Sequence, residues 1–389
     1  MKNVLNSRIS HALCSIVHWY QHFCIQMLLL CLLYPLNVQG GASTIRVGVM
    51  LPFQSQNGVT APRAIDFYRG LLMAMDSLRK DGHSFRVYTY NTAVTPMSGI
   101  LRDTIIRHLD IVFGPDNNQY LQELSDYTAP QGTKVIDVFS PSCKTLYSNP
   151  HFCLAYAPSE MQSVFAAHLF VLHFGQGKTD IIVVDTKKET HPFVIAMKKT
   201  ARKVRFLAHD FTDAQLESRL TKSRPQFILI SSEDAESAIP VLKRIASFRL
   251  AHPEYELHVL GYPEWIFRGS IDSSLFHKAD TYIYTSFYNN VQSQRNQKFA
   301  TRFSLQFGRP MESSRPVMAM MGFDCGYYLL KALCRYGRSW SGQEVYAAPL
   351  QNGYRFRYQG NSAGLANEYT QFVHYKTDNH IDLISPHLP

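Results

Sequence analysis

Few residues in this chain are spaced for catalysis. The string GQGKT at 175–179 looks like part of a phosphate-binding loop, but the complete motif needs a glycine five residues before Gly177, and Leu172 stands there. The string also follows a helical pattern and precedes a strand pattern, the reverse of the order a phosphate cradle needs. A helix end followed by a turn accounts for both glycines. No G-x-S-x-G, H-E-x-x-H or G-x-G-x-x-G occurs. The 16 histidines are dispersed, and no C-x-x-C or Cys/His cluster has metal-ligand spacing. Paired carboxylates need not be close in sequence, so missing motifs lower the enzyme reading without removing it. The expectation is a non-enzyme with no cofactor and no metal.

Cysteine spacing suggests one covalent link. Cys143 and Cys153 flank a short, Pro-containing segment that a disulfide can close. Cys325 and Cys334 fall on one predicted helix, about 13 Å apart along its axis at 1.5 Å per residue, too far to bridge.

The amino terminus reads as a targeting segment. Lys2 and Arg8 precede the apolar run IQMLLLCLLYPL at 25–36, and small residues follow at Gly40 and Ala42. The run is short for a membrane span, so residues 1–42 are expected to be a signal peptide. A retained anchor is the other reading, because 12–38 contains no charged side chain.

Composition fits a folded globular protein: 389 residues, 46% hydrophobic and 18% charged, with net charge +9. The densest basic cluster is Lys198, Lys199, Arg202, Lys203 and Arg205. It reads as a solvated helix face or as a contact for an anionic envelope partner. No nucleic-acid-binding module accompanies it, so nucleic acid is not an expected partner.

Apolar strand-like runs alternate with amphipathic helical runs. Strands are predicted at 46–52, 85–90, 111–114 and 134–139, with helices opening at Pro62 and over 118–128. A capping-box pair, Ser159 and Gln162, precedes a long apolar helix. The alternation then restarts, with strands at 179–185, 204–207, 226–231, 256–261 and 281–286. Thr212 and Gln215 form a second capping-box pair. Helices follow over 297–307 and 316–336, and the tail reads as antiparallel strands, YRFRY and QFVHYK, around a Gly-rich turn. Two successive α/β units, each with a parallel sheet, result.

Several strings resemble the type I periplasmic-binding-protein superfamily. VGVMLPF with IDFYRGLLMAMDSL resembles its first strand and helix, LDIVFGPDNNQ its third strand and loop, KVIDVFSPSC its fourth strand, and MGFDCGYYLLKAL its late helix. PLQNGYRFRYQGNSAGLANEYTQFVHY resembles the terminal hairpin of envelope versions from Bacteroidetes-type bacteria, often joined to a LysM domain. Too few residues lie between the apolar segment and the first strand for a LysM module there. The resemblance covers about 45–375 and implies two doubly wound parallel-sheet lobes joined by three crossovers. It places 44–156 and 287–337 in lobe 1, and 157–286 with 338–389 in lobe 2.

Ligands of such folds bind between the lobes, beside the carboxyl ends of the strands. That position selects Asn117 and Asn118 after strand three, Ser140 and Ser142 after strand four, and Tyr156 at the first crossover. In lobe 2 it selects Asp185, Tyr262 and Glu264. Asp116 opposes an anionic ligand unless it caps the helix, and an acid in lobe 2 suits an ammonium group. The resemblance implies an exported protein of the periplasm or cell envelope that captures a small polar ligand: an amino acid, a peptide or a cell-wall fragment. A transporter or receptor is then its partner. The alternative is an envelope interaction module without a small ligand, bound to a peptidoglycan-synthesis protein.

Overall fold

The computed structural model describes residues 44–140, 143–156, 158–185, 191–269 and 271–386, and the expected signal peptide lies outside them. Residues 44–389 make one compact unit built on two seven-stranded sheets.

The first sheet holds β1 (Ile45–Leu51), β2 (Phe85–Asn91), β3 (Ile111–Phe113), β4 (Lys134–Asp137) and β5 (Phe152–Leu154). All pair in parallel, in the order β5-β4-β3-β1-β2. Helices α1 (Pro62–Lys80), α2 (Met97–Ile100) and α3 (Asn118–Thr128) lie between them in sequence. The second sheet holds β6 (Asp180–Asp185), β7 (Lys203–Ala208), β8 (Gln226–Ile230), β9 (Leu257–Gly261) and β10 (Thr281–Thr285), again parallel. Its helices are α4 (Ser159–Phe174), α5 (Pro192–Thr200), α6 (Asp213–Glu217), α7 (Ala235–Ala251), α8 (Pro263–Phe267) and α9 (Ser273–Ala279). The chain then returns to lobe 1 through α10 (Gln294–Phe307) and α11 (Met318–Tyr336). Both sheets are parallel-dominated and helix-flanked, so β3, β4, β8, β9 and β10 are buried along their whole length.

The tail divides differently from the expectation. β11 (Phe356–Tyr358) and β12 (Leu365–Asn367) pair with each other, and β12 extends the lobe 1 sheet beside β5. β13 (Gln371–Tyr375) pairs antiparallel with β10 of lobe 2, and β14 (Ile381–Ile384) with β13. The two tail strand pairs therefore belong to different sheets, and the third crossing falls between Asn367 and Gln371. Asn367 fixes it there: its Nδ2 donates to the carbonyls of Ala155 (3.0 Å) and Gly353 (3.1 Å).

Side-chain alternation sorts the lobe 1 core into two faces. Val47, Val49, Phe113, Ile136 and Cys153 pack on the face covered by α1 and α11. Met50, Val112, Val135, Phe152 and Leu154 pack on the other, with Cys143. The expected Cys143–Cys153 disulfide is therefore absent. Both are buried free thiols, and they point to opposite faces of one sheet.

Helices α1 and α11 meet at their backbones. A Cβ on Gly70 would lie 1.9 Å from the Ala319 carbonyl oxygen, and one on Gly322 2.0 Å from that of Phe67. Buried Asp324, on α11, accepts backbone N–H bonds from Leu350 (2.8 Å), Gln351 (2.9 Å) and Asn352 (2.8 Å), which tie the returning segment to the helix. The Thr212–Gln215 capping box forms as expected. Ser159 is the first residue of α4, which places the N-cap one position earlier than expected, at Pro158.

Candidate functional site

Parallel strands deliver their following loops to one end of each sheet. In lobe 1 these are the segments after β1, β3 and β4; in lobe 2, those after β6, β8 and β9.

Asn117 caps α3, its Oδ1 accepting from Gln119 N (2.9 Å) and Tyr120 N (3.1 Å). Asn118 is the exposed first residue of that helix. The cap engages the Asn117 carbonyl oxygen with two backbone N–H groups. Ser140 is half-buried and its backbone N–H donates to Asp137 Oδ1 (3.1 Å), as does that of Phe139 (3.1 Å). Ser142 lies outside the described residues.

Asp137 is the group that sequence reading passed over. It closes β4, is fully buried, and its Oδ2 has no hydrogen-bond partner among the described residues. Burial, reinforced by the Asp116 charge, pushes its carboxyl up to about 6 against the pull of the two N–H donors. An acid inside the apolar run KVIDVF was the available signal.

Tyr156 packs against the lobe 1 core, and its hydroxyl donates to Met321 Sδ (3.6 Å). Burial pushes that hydroxyl up to about 12, with Arg63 close enough to oppose the shift.

In lobe 2, Asp185 ends β6 half-buried, and Ser231 Oγ donates to its Oδ1 (3.4 Å). Glu264 lies in the first turn of α8, where burial and then the neighbouring Glu233 raise its carboxyl. Glu233 also pairs with His191 Nε2 at 3.3 Å. Tyr262 is a correction to the sequence reading. It is fully buried, its hydroxyl donates to the Ile230 carbonyl (2.8 Å), and its ring packs among Phe193, Tyr284 and Trp265. It belongs to the lobe 2 core because Pro263 starts a helix there and turns the tyrosine back against the sheet end.

A cavity of about 630 Å³ lies at the second crossing, between α8 and α9 and the segments around 287–291 and 313–317. Trp265, Phe276 and the stacked pair Phe267–Phe287 line it, and Arg315 borders it while donating to the carbonyls of Ile266 (3.0 Å) and Phe267 (3.2 Å).

No family model matches this chain, and no curated protein matches it in sequence. Solved structures do. One, named for a branched-chain amino acid ABC transporter of Rhodospirillum rubrum, aligns over 88% of this chain and 100% of its own, with TM-score 0.54 and 13% identity. The chain has a periplasmic-binding-protein fold. Haemophilus influenzae LpoA aligns over 91% of this chain and 61% of its own, with TM-score 0.54 and 12% identity. The C-domain of LpoA is described as a regulator of PBP1A. LivJ of Streptococcus pneumoniae, solved with isoleucine, aligns over 88% and 100% at 11% identity, with TM-score 0.40. At 12–13% identity, the two likenesses with TM-score 0.54 show the shared fold alone. Among the described residues, no helix is long and apolar enough to cross a membrane.

Proposed function

We propose that this is an exported solute-binding protein whose two lobes close on a small ligand carrying a positive charge. The observation that carries the reading is the acid excess at the strand ends. Asp116 and Asp137 lie there in lobe 1, and Asp185, Glu233 and Glu264 in lobe 2. The described basic groups beside them are Arg63, Arg268 and His191, and burial lowers His191 toward its neutral form. Even if the sequence's Lys187, Lys188 and Glu189, which follow β6, are all counted, acids remain in the majority. An ammonium group repairs both the charge excess and the unpartnered Asp137 oxygen. Ser140, Asn117 and Asn118 supply neutral polar contacts for the rest of the ligand, and Asp185 and Glu264 close over it from lobe 2. A ligand held by both lobes stabilises the closed form by its differential affinity.

The test is a thermal-shift screen of the mature protein with diamino acids, basic dipeptides, polyamines and amine-bearing muropeptides, set against neutral and acidic counterparts. Binding raises the melting temperature by mass action. The reading expects cationic ligands to give the shift, and Asp185→Asn with Glu264→Gln to abolish it without unfolding the protein. A response confined to anionic ligands, or one untouched by these substitutions, overturns it. With no response to any class, the envelope interaction module becomes the working function.

A further inference from the structure

On the far end of the lobe 2 sheet, three side chains from three adjacent strands come together. His258 lies on β9, Asp280 immediately precedes β10, and His374 lies on β13. They sit at the amino ends of β9 and β10, the end opposite the proposed ligand cleft. Their ligating atoms, two imidazole nitrogens and a carboxylate oxygen, all lie within 4.8 Å of one another.

Each member is held. Asp280 ends α9 with φ at 53°, and its Oδ2 accepts from Arg249 Nη2 at 3.0 Å, which leaves Oδ1 for the two histidines. His374 Nε2 is 2.5 Å from that oxygen, and its ring stacks on Tyr282 at 3.7 Å between centroids. His258 Nδ1 is 3.5 Å from the same oxygen, is buried, and has no hydrogen-bond partner. Its other nitrogen, Nε2, faces Glu256 Oε1 at 3.5 Å. With its proton on Nε2, toward Glu256, the ring presents the Nδ1 lone pair to the space beside the carboxylate, as a metal ligand must.

We propose that His258, Asp280 and His374 form a zinc(II) site that clamps β13 to the parallel sheet. Two imidazoles and one carboxylate are a ligand set that zinc accepts, with a fourth position for water. Bonds of about 2.0–2.2 Å in a tetrahedron set ligand atoms roughly 3.3 Å apart. The His258–Asp280 pair already meets that spacing, and the His374–Asp280 pair must open by under about 1 Å. Arg249 and Glu256 act as outer partners, one orienting the carboxylate and the other the imidazole. Among the described residues, Arg249 is the arginine paired with Asp280, and with neutral imidazoles the charges of Asp280 and Glu256 together exceed it. The three ligands are spread over more than a hundred residues of sequence, which is why metal-ligand spacing did not reveal them.

The experiment uses the mature chain, stripped with a chelator and dialysed against zinc(II). The expected result is one tightly held zinc per chain, with affinity weakened more than about 100-fold in both His258→Gln and His374→Gln. His380→Gln, an exposed histidine on the neighbouring turn, controls for surface binding and leaves the affinity unchanged. X-ray absorption of the zinc-loaded wild type, which requires no variant to fold, is expected to show two imidazole ligands. A wild type that retains no zinc, a spectrum without imidazole, or folded glutamine variants that bind as before would overturn the assignment. The cluster is then a hydrogen-bonded His–Asp–Arg network.

Discussion

Replacing Gly70 with alanine pits two physical effects of opposite sign against each other. Gly70 lies in the interior of α1, where alanine is intrinsically favoured by about 1 kcal/mol. The new Cβ would, however, lie 1.9 Å from the Ala319 carbonyl oxygen and 2.9 Å from Phe323 N, both backbone atoms of α11. An ordinary C···O approach is about 3.3 Å or more, so the helices must part by over about 1 Å. A gap of that size forfeits a quarter to a half of each dispersion contact along the seam. Buried Phe67, Leu71, Met321 and Cys325 line it. Strain and lost packing together cost about 3–5 kcal/mol, giving a net destabilisation of about 2–4 kcal/mol. Gly322→Ala meets the Phe67 carbonyl oxygen at 2.0 Å and is expected to cost a similar amount. The double variant should cost less than the sum, because one separation relieves both clashes. Urea unfolding followed by far-UV circular dichroism measures all three. If either single variant is as stable as the wild type or more so, the backbone contact does not hold lobe 1 together and the reasoning fails.

Asp137→Asn should stabilise the protein at pH 7–8 and flatten its pH dependence. The folded carboxyl titrates near 6 and the unfolded one near 3.8, so between those values the folded chain holds a proton that the unfolded chain has lost. Stability therefore falls as pH rises through that window, by up to about 3 kcal/mol, and urea midpoints at pH 4, 6 and 8 should show a smaller fall in the variant, which keeps Asp324, a second carboxyl that burial pushes up to about 7. Cys143, Cys153 and Cys325 should resist a thiol reagent in the native protein and react once it is unfolded. Burial pushes the Cys153 thiol up to about 12, and a reductant should leave the melting temperature unchanged. Asp180→Ala should destabilise lobe 2 by about 3–5 kcal/mol, read by the same urea titration. It removes a fully buried carboxylate from Arg202 (2.7 Å) and Arg205 (2.8 Å) and leaves their charges uncompensated.

The parallel α/β order was legible because buried strands such as DIIVVD and QFILI are continuous apolar runs, which local periodicity reports directly. What failed was information that is not local. FCL is too short to read as a strand beside its proline-containing loop, so Cys153 looked like a loop cysteine when it lies in mid-sheet. QFVHY reads as a hairpin partner of YRFRY, yet its pairing is with β10, almost ninety residues earlier. Tyr262 follows a strand end, as a ligand residue should, but a strand end sets where the backbone goes and not where the ring turns. Asn117 and Ser140 were placed by the loops that carry them, and the buried carboxyl between those loops was visible only once β3 and β4 lay side by side.

The path of the chain also sets the order in which a growing polypeptide can complete its parts. Helix α1 emerges early, and its seam partner α11 appears only after the strands β6 to β10 have been made. Until then Phe67 and Leu71 have no partner helix, and β5 keeps an open edge until β12 arrives. The parallel part of lobe 2 is a continuous insertion that emerges whole, so it can be built while the first half of lobe 1 waits. The last crossing then finishes both sheets in quick succession, β12 sealing one and β13 with β14 the other. A nascent chain interrupted before Asn367 carries two unfinished sheet edges, each a template for pairing with a neighbour. The final stretch of synthesis thus supplies the strands that cover both open edges.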